Sequence, residues 1–197
     1  MKELTENLKK GFTLVELLIV IAILAILAAA VVIVINPGEM LAQARDSQRM
    51  NDMSTLKSAI NVYLTQTTTA IDLGACGAGG RCTYDPAAGN GPFSTTTCTT
   101  VSAVNTTAGG GWVDVNFGNI AGGSPIPYLP IDPVNSATYF YAYKCAEPAN
   151  TYELDARLES AKFVPKMTTD GGDHNTCGTP TANTCFYEQG TAPGLAL

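Results

Sequence analysis

The hydropathy of the chain is dominated by an apolar run from Phe12 to Ile35, broken by a single acid, Glu16. About 20 apolar residues are enough for a helix to cross a bilayer core, so residues 12–35 predict a membrane-length helix with room for some tilt. Asn36, Pro37 and Gly38 follow. Proline lacks an amide donor and disfavours the α conformation in the residue before it, which predicts a kink, a melted turn or a break there. Beyond Glu39 the apolar positions Met53, Leu56, Ile60, Tyr63 and Leu64 recur at helical spacing, with Arg45, Asp46, Arg49, Asp52 and Lys57 between them. That pattern predicts an amphipathic half whose apolar side packs on a domain while its charges face water. A free helix lying on a membrane surface would call for a more basic polar face.

Residues 65–69 close this helix. Residues 70–111 are rich in Gly, Ala, Thr and Ser, with little to build a core, and read as a long surface loop held by cysteines. Its Ser and Thr clusters are candidate O-glycan acceptors, although a plain solvated loop accounts for them more simply. Over residues 112–117 the pattern alternates, with Val113, Val115 and Phe117 on one side and Asp114 and Asn116 on the other. Pro125, Pro127, Pro130 and Pro133 then forbid a central strand until Asn135. Residues 139–144 are aromatic and β-rich, and Tyr152, Leu154, Ala156 and Leu158 alternate with Glu153, Asp155, Arg157 and Glu159. These predict two strands joined by a hairpin loop at 147–150, with a third short strand through Cys185, Phe186 and Tyr187. The expected fold class is α+β: a long N-terminal helix whose distal half packs on a small antiparallel β-sheet.

Composition narrows the function classes. With 17 acidic and 11 basic side chains the net charge is −6, which argues against nucleic acid as the main partner, since that leaves a basic patch. All six cysteines, Cys76, Cys82, Cys98, Cys145, Cys177 and Cys185, follow the membrane segment. An even number in an exported chain points to disulfides. Proximity favours Cys76 with Cys82 and Cys177 with Cys185, leaving Cys98 with Cys145. A zinc site is the rival, but no CxxC pair occurs and His174 is the only histidine. One histidine, no GxSxG and no P-loop leave little for a nucleophile or general base, so an enzyme is not expected.

A carboxylate among such apolar side chains costs on the order of 2.5 kcal/mol or more, so Glu16 needs a partner or a purpose. Cleavage after Gly11 would create an α-amino group on Phe12, one helical turn from Glu16. Gly11 followed by Phe12, Thr13, Leu14, Val15 and Glu16, after a short basic leader, resembles the class III signal of type IV pilins and pseudopilins. The resemblance implies that prepilin peptidase cuts after Gly11 on the cytoplasmic side and methylates Phe12, and that Glu16 assists docking and methylation. An ordinary signal peptide has a shorter apolar stretch and a small-x-small site, and a plain bitopic anchor explains neither Gly-Phe nor the acid. Many type IV pilins carry their helix-disrupting proline four residues earlier, where Ile33 stands here.

The implied organisation is a leader at 1–11, a long helix at 12–67, a variable connecting loop at 68–111 and a sheet headgroup with C-terminal loop at 112–197. Residues 129–135, LPIDPVN, followed by YFYAY and YELDARLE, resemble the headgroup of bacterial pilins and major pseudopilins. In the tail, Asp170, Asp173 and Asn175 offer oxygen ligands of the kind calcium takes, a turn capped by Asp and Asn being the simpler explanation. The related C-terminal loop of major pseudopilins binds calcium. His174 is expected to be an exposed loop residue and no ligand.

The functional expectation is a structural subunit: single-pass in the cytoplasmic membrane, processed by prepilin peptidase, and drawn by an assembly platform into a helical homo-oligomeric filament at the cell surface. Such a filament serves adhesion, motility or DNA uptake. The alternatives are a major pseudopilin of a type II secretion or competence system, and a membrane-tethered binding module that never polymerises.

Overall fold

A computed structural model gives the structure of residues 11–76, 79–86, 91–93, 98, 100–178, 184–192 and 197. The leader at 1–10 lies outside the described residues, as do residues 94–97 and 99 of the Ser and Thr cluster. The chain divides by contact into two units, Met1–Met40 and Leu41–Leu197.

In the first unit, helix α1 spans Leu14–Ile35. Its sequence ends in a run of Val and Ile, residues that in water favour strands. In hydrocarbon a strand would leave its amides unsatisfied, whereas a helix bonds them all internally. The stretch Leu14–Val32 is long and apolar enough to cross a membrane, and none of it is buried within the chain. The helix stops at Asn36, which takes the left-handed conformation at φ 46°, one that asparagine tolerates better than most residues. Helix α2, Pro37–Gln66, starts at the next residue. Pro37 occupies its first position, where no amide donor is needed, and Asn36 Oδ1 accepts the Glu39 N–H at 3.3 Å as its N-cap. The disruption expected at Asn36-Pro37 is therefore an exchange of one helix for the next.

The second unit is built on the rest of α2. Its buried positions, Ala42, Asp46, Arg49, Met53, Leu56, Ala59, Ile60 and Tyr63, form one stripe at spacings of three and four. Asp46 and Arg49, expected among the solvated charges, lie inside that stripe and are fully buried. Arg49 Nε and Nη2 donate to the two carboxylate oxygens of Asp132, at 2.6 and 3.1 Å, and Nη1 donates to Asp46 and Glu159, at 2.9 and 2.6 Å. Arg45 forms a second two-pronged pair with Glu159. Asp46 also accepts the amides of Glu159 and Ser160 and the Ser160 hydroxyl, and Asp132 accepts the amides of Val134 and Asn135. The LPIDPVN segment thus folds about Asp132, whose carboxylate both closes its own turn and receives Arg49. Binary patterning cannot see this: a charge belongs in a core stripe only when its partners arrive from far away in sequence.

The sheet has strand order β2-β1-β3-β4-β5, with β1 Arg81–Cys82, β2 Thr100–Val101, β3 Tyr141–Ala146, β4 Thr151–Ala156 and β5 Tyr187–Gly190. It is mixed, not purely antiparallel: β2 runs parallel to β1, and the other neighbours are antiparallel. Two of its strands come from the 70–111 segment, which also buries Leu73 and Phe93; the expectation that this loop builds little core is corrected accordingly. Residues 112–117 form no strand of the sheet. Trp112, Val113, Val115 and Phe117 are all buried, but Asn116 caps the Gly118 amide and turns the chain into a 3-10 segment, Phe117–Asn119. Tyr141, Tyr143, Cys145, Tyr152, Leu154 and Ala156 face α2 and join Met53, Leu56, Ile60 and Tyr63 in the main core. The Tyr141 hydroxyl donates to Asp52 and that of Tyr152 to Asn61, so each ring is buried without losing its polar tip.

The opposite face carries a second cluster, Cys82, Phe93, Cys98, Phe140, Ala142 and Phe186. The disulfides follow from these two faces. Cys76 is bonded to Cys145, Cys82 to Cys98 and Cys177 to Cys185. The pairings Cys76–Cys82 and Cys98–Cys145 favoured by sequence proximity are not those of the structure. Cys82 stands opposite Ala142 in the register, on the face away from α2, whereas Cys145 is three residues further along β3 and on the other face. An odd offset along a strand reverses the side a residue points to, which separates the two bonds. No described cysteine is free, which leaves none as a thiolate ligand.

Candidate functional site

The start of α1 is built by four residues. Gly11, Phe12 and Thr13 precede the helix and are exposed, so the 11–12 peptide bond lies outside the helical hydrogen-bond ladder. A Cβ at Gly11 would meet no atom. Thr13 is the N-cap, and it forms a reciprocal capping box with Glu16. The Thr13 hydroxyl accepts the Glu16 amide at 3.2 Å, while Glu16 Oε2 accepts the Thr13 amide at 3.0 Å and its hydroxyl at 2.8 Å. Among the described residues nothing donates to Oε1. The acid in the apolar run is therefore held in place by its own helix end and retains one open acceptor. Capping explains its orientation but leaves its charge uncompensated.

A second polar constellation lies on the sheet face away from α2. The strict alternation of β4 suggests one wet face, yet Glu153 and Asp155 are fully buried, as is Glu188 opposite Asp155 on β5. The tail segment 170–174 packs against Glu153 and Glu188. His174, expected to be exposed, is instead half-buried: its Nδ1 lies 2.8 Å from Asp173 and 3.3 Å from Glu188, and its amide donates to Glu188 Oε2 at 3.0 Å. Atoms of Glu153, Asp173, His174 and Glu188 all approach within 4.8 Å of one another. Burial, reinforced by Glu188, pushes the Glu153 carboxyl up to about 9, and burial pushes Asp155 well above the usual carboxylate range. Burial also raises Glu188, against the pull of His174. For His174 burial acts the other way, but the bond to Glu188 and the charge of Asp173 leave it above its ordinary value.

The three calcium candidates of the tail are placed differently. Only Asp173 belongs to this constellation. Asp170 accepts the amides of Gly172 and Glu188, at 3.2 and 2.9 Å, and the Asn175 side-chain amide donates to the Gly172 carbonyl at 3.2 Å. These are turn-closing roles. Glu153 and Glu188 escaped the sequence reading because nothing in the chain signals that a loop after residue 170 folds back over β4.

In the comparison with known families, residues 7–32 match the prokaryotic N-terminal methylation motif, the class III signal of type IV pilins and pseudopilins. Gly11, Phe12 and Glu16 fall inside it. Comparisons with characterised proteins and with solved structures gave no match.

Proposed function

We propose that this chain is the structural subunit of a type IV pilus-like filament, held in the cytoplasmic membrane by α1 until prepilin peptidase cuts after Gly11 and methylates Phe12, and then polymerised by a pilus-type assembly platform. The observation that carries this reading is an apolar helix that buries nothing against its own chain and has one acid with an open oxygen at its start. Lipid satisfies the apolar surface before assembly, and other copies of the same helix satisfy it afterwards. The new Phe12 amine of one subunit neutralises Glu16 of the next, which sets the axial step. Contacts of this head-to-tail kind do not close on themselves and generate an open helical polymer. The role is structural: adhesion, motility or DNA uptake through the filament, with no catalysis by the subunit. The carboxylate-rich tail and the Asp132 turn favour, as the second reading, a major pseudopilin of a secretion or competence system.

Immunogold electron microscopy of the producing cells separates these readings. Long surface filaments labelled along their length by antibody to the 41–197 unit are the expected result. Label confined to the envelope with only short fibres gives the pseudopilin, and label scattered singly over the membrane contradicts polymerisation.

A further inference from the structure

We propose that Glu153, Asp173, His174 and Glu188 form a binding site for one divalent transition cation of the zinc class. The site lies on the sheet face opposite the helix and plays no part in the signal at the start of α1. Two separate observations converge on it. The first is geometric: four side chains from β4, β5 and the tail each offer one ligand atom, all within 4.8 Å of one another. A zinc ion bound at about 2.0–2.2 Å keeps opposed ligands no more than about 4.4 Å apart, so small side-chain adjustments complete the shell. The second is an unmet need. Both carboxylate oxygens of Glu153 and both of Asp155 are buried with no hydrogen-bond partner among the described residues.

Buried carboxylates take a donor, a proton or a cation. The basic side chains of the same face are engaged elsewhere. Arg157 lies over the Phe186 ring and donates to the Thr138 carbonyl, and the Lys144 ammonium lies over the Phe93 ring. A metal ion is a partner that the ligand atoms of Glu153, Asp173, His174 and Glu188 can share, with Asp155 beside Glu153. The imidazole sets the class of ion: calcium takes oxygen ligands, whereas zinc takes histidine nitrogen together with carboxylate oxygen. The surroundings hold the donors in place. The Cys177–Cys185 bond and the Asn175–Cys185 bridge clamp the tail beside β5. Gly172 packs so closely on Glu188 that a Cβ there would collide with its carboxylate. Such outer contacts orient ligands before the ion arrives.

The test is calorimetric titration of the full-length chain, purified in detergent and stripped of metal, with zinc chloride, and in parallel with manganese and calcium chlorides. One saturable zinc per chain is expected, with calcium at least about tenfold weaker. Asp173→Asn and His174→Ala are each expected to weaken zinc by about tenfold or more with an unchanged circular dichroism spectrum, since Asp173 is partly exposed. Glu153→Gln is expected to abolish zinc binding with an unchanged circular dichroism spectrum, because the amide keeps the size of the side chain but supplies no carboxylate to the ion. Absence of saturable zinc uptake overturns the proposal. So does zinc affinity unchanged in both Asp173→Asn and His174→Ala, or calcium bound as tightly as zinc.

Discussion

Replacing Glu16 with alanine is expected to leave the chain inserted in the membrane and cut after Gly11, yet to lower the yield of filaments by about a hundredfold or more. The magnitude comes from the environment of the pair. Removing one member of a buried ion pair costs roughly 3–5 kcal/mol, because the other charge stays buried and unpaired. At about 1.4 kcal/mol per factor of ten, subunit addition weakens by roughly two to three and a half orders of magnitude. Insertion is unaffected because the change makes the apolar run more apolar. Glu16→Gln separates the two roles of the side chain. Its amide oxygen still accepts from the Thr13 amide and hydroxyl, so the helix end is capped, but it brings no charge to the Phe12 amine. The account predicts that Glu16→Gln fails to assemble as Glu16→Ala does. Sheared-filament yield, measured beside total membrane content of the subunit, reads both outcomes, and normal filaments from Glu16→Gln would assign the residue to capping alone.

Arg49→Ala is expected to lower the melting temperature of the 41–197 unit by roughly 6–20 °C. Its guanidinium, fully buried, serves three carboxylates: Asp46, Asp132 and Glu159. Truncation leaves the buried Asp46 and Asp132 with their amide and hydroxyl donors but without the countercharge of Arg49, at a cost of about 3–5 kcal/mol, against a total stability of about 5–15 kcal/mol for domains of this kind. Arg49→Lys restores the charge but not the two-pronged geometry on Asp132, and should fall between the two. The pairs with Arg45 and Arg49 also hold the Glu159 carboxyl below its ordinary value of 4.5, Arg45 contributing most. Its folded pKa is depressed, so the stability it contributes is present above the unfolded value and lost as pH falls through the folded one. Thermal unfolding between pH 7 and pH 3 checks both claims: Arg49→Ala should melt far below the parent chain at pH 7, and the acid-dependent loss should be smaller in Arg45→Met. A parent-like melting temperature for Arg49→Ala would show that the network contributes little.

Each level of the structure was legible in the sequence to the extent that its cause is local. The break between α1 and α2 follows from Asn36 and Pro37 alone, since it depends on backbone chemistry at two adjacent residues. The hairpin of β3 and β4 follows from period-two patterning, which is equally local. Asp46 and Arg49 were misplaced because a helical wheel assigns charges to water, and only Asp132 and Glu159, some 80 to 115 residues away, justify burying them. The polar face of β4 misled for the same reason: alternation reports which residues share a face, not whether a later segment covers it. His174 and Glu188 meet only because β5 returns beside β4, and the cysteine pairing depends on which side of β3 each partner approaches. At the start of α1, the residue types at 11, 12 and 16 are fully readable, and so is the capping box that orients Glu16, because Thr13 followed three residues later by Glu16 before an apolar run is its local signature.

The central claim is that the chain is a processed filament subunit. Intact mass and N-terminal sequencing of the native protein, purified from the cell surface, test it most directly. The account predicts a chain beginning at N-methylated Phe12, lacking residues 1–11 and retaining three disulfides. A chain that begins at Met1, or one cut beyond Ile35, would contradict it, because either the amine that pairs with Glu16 or the helix that carries assembly would be missing.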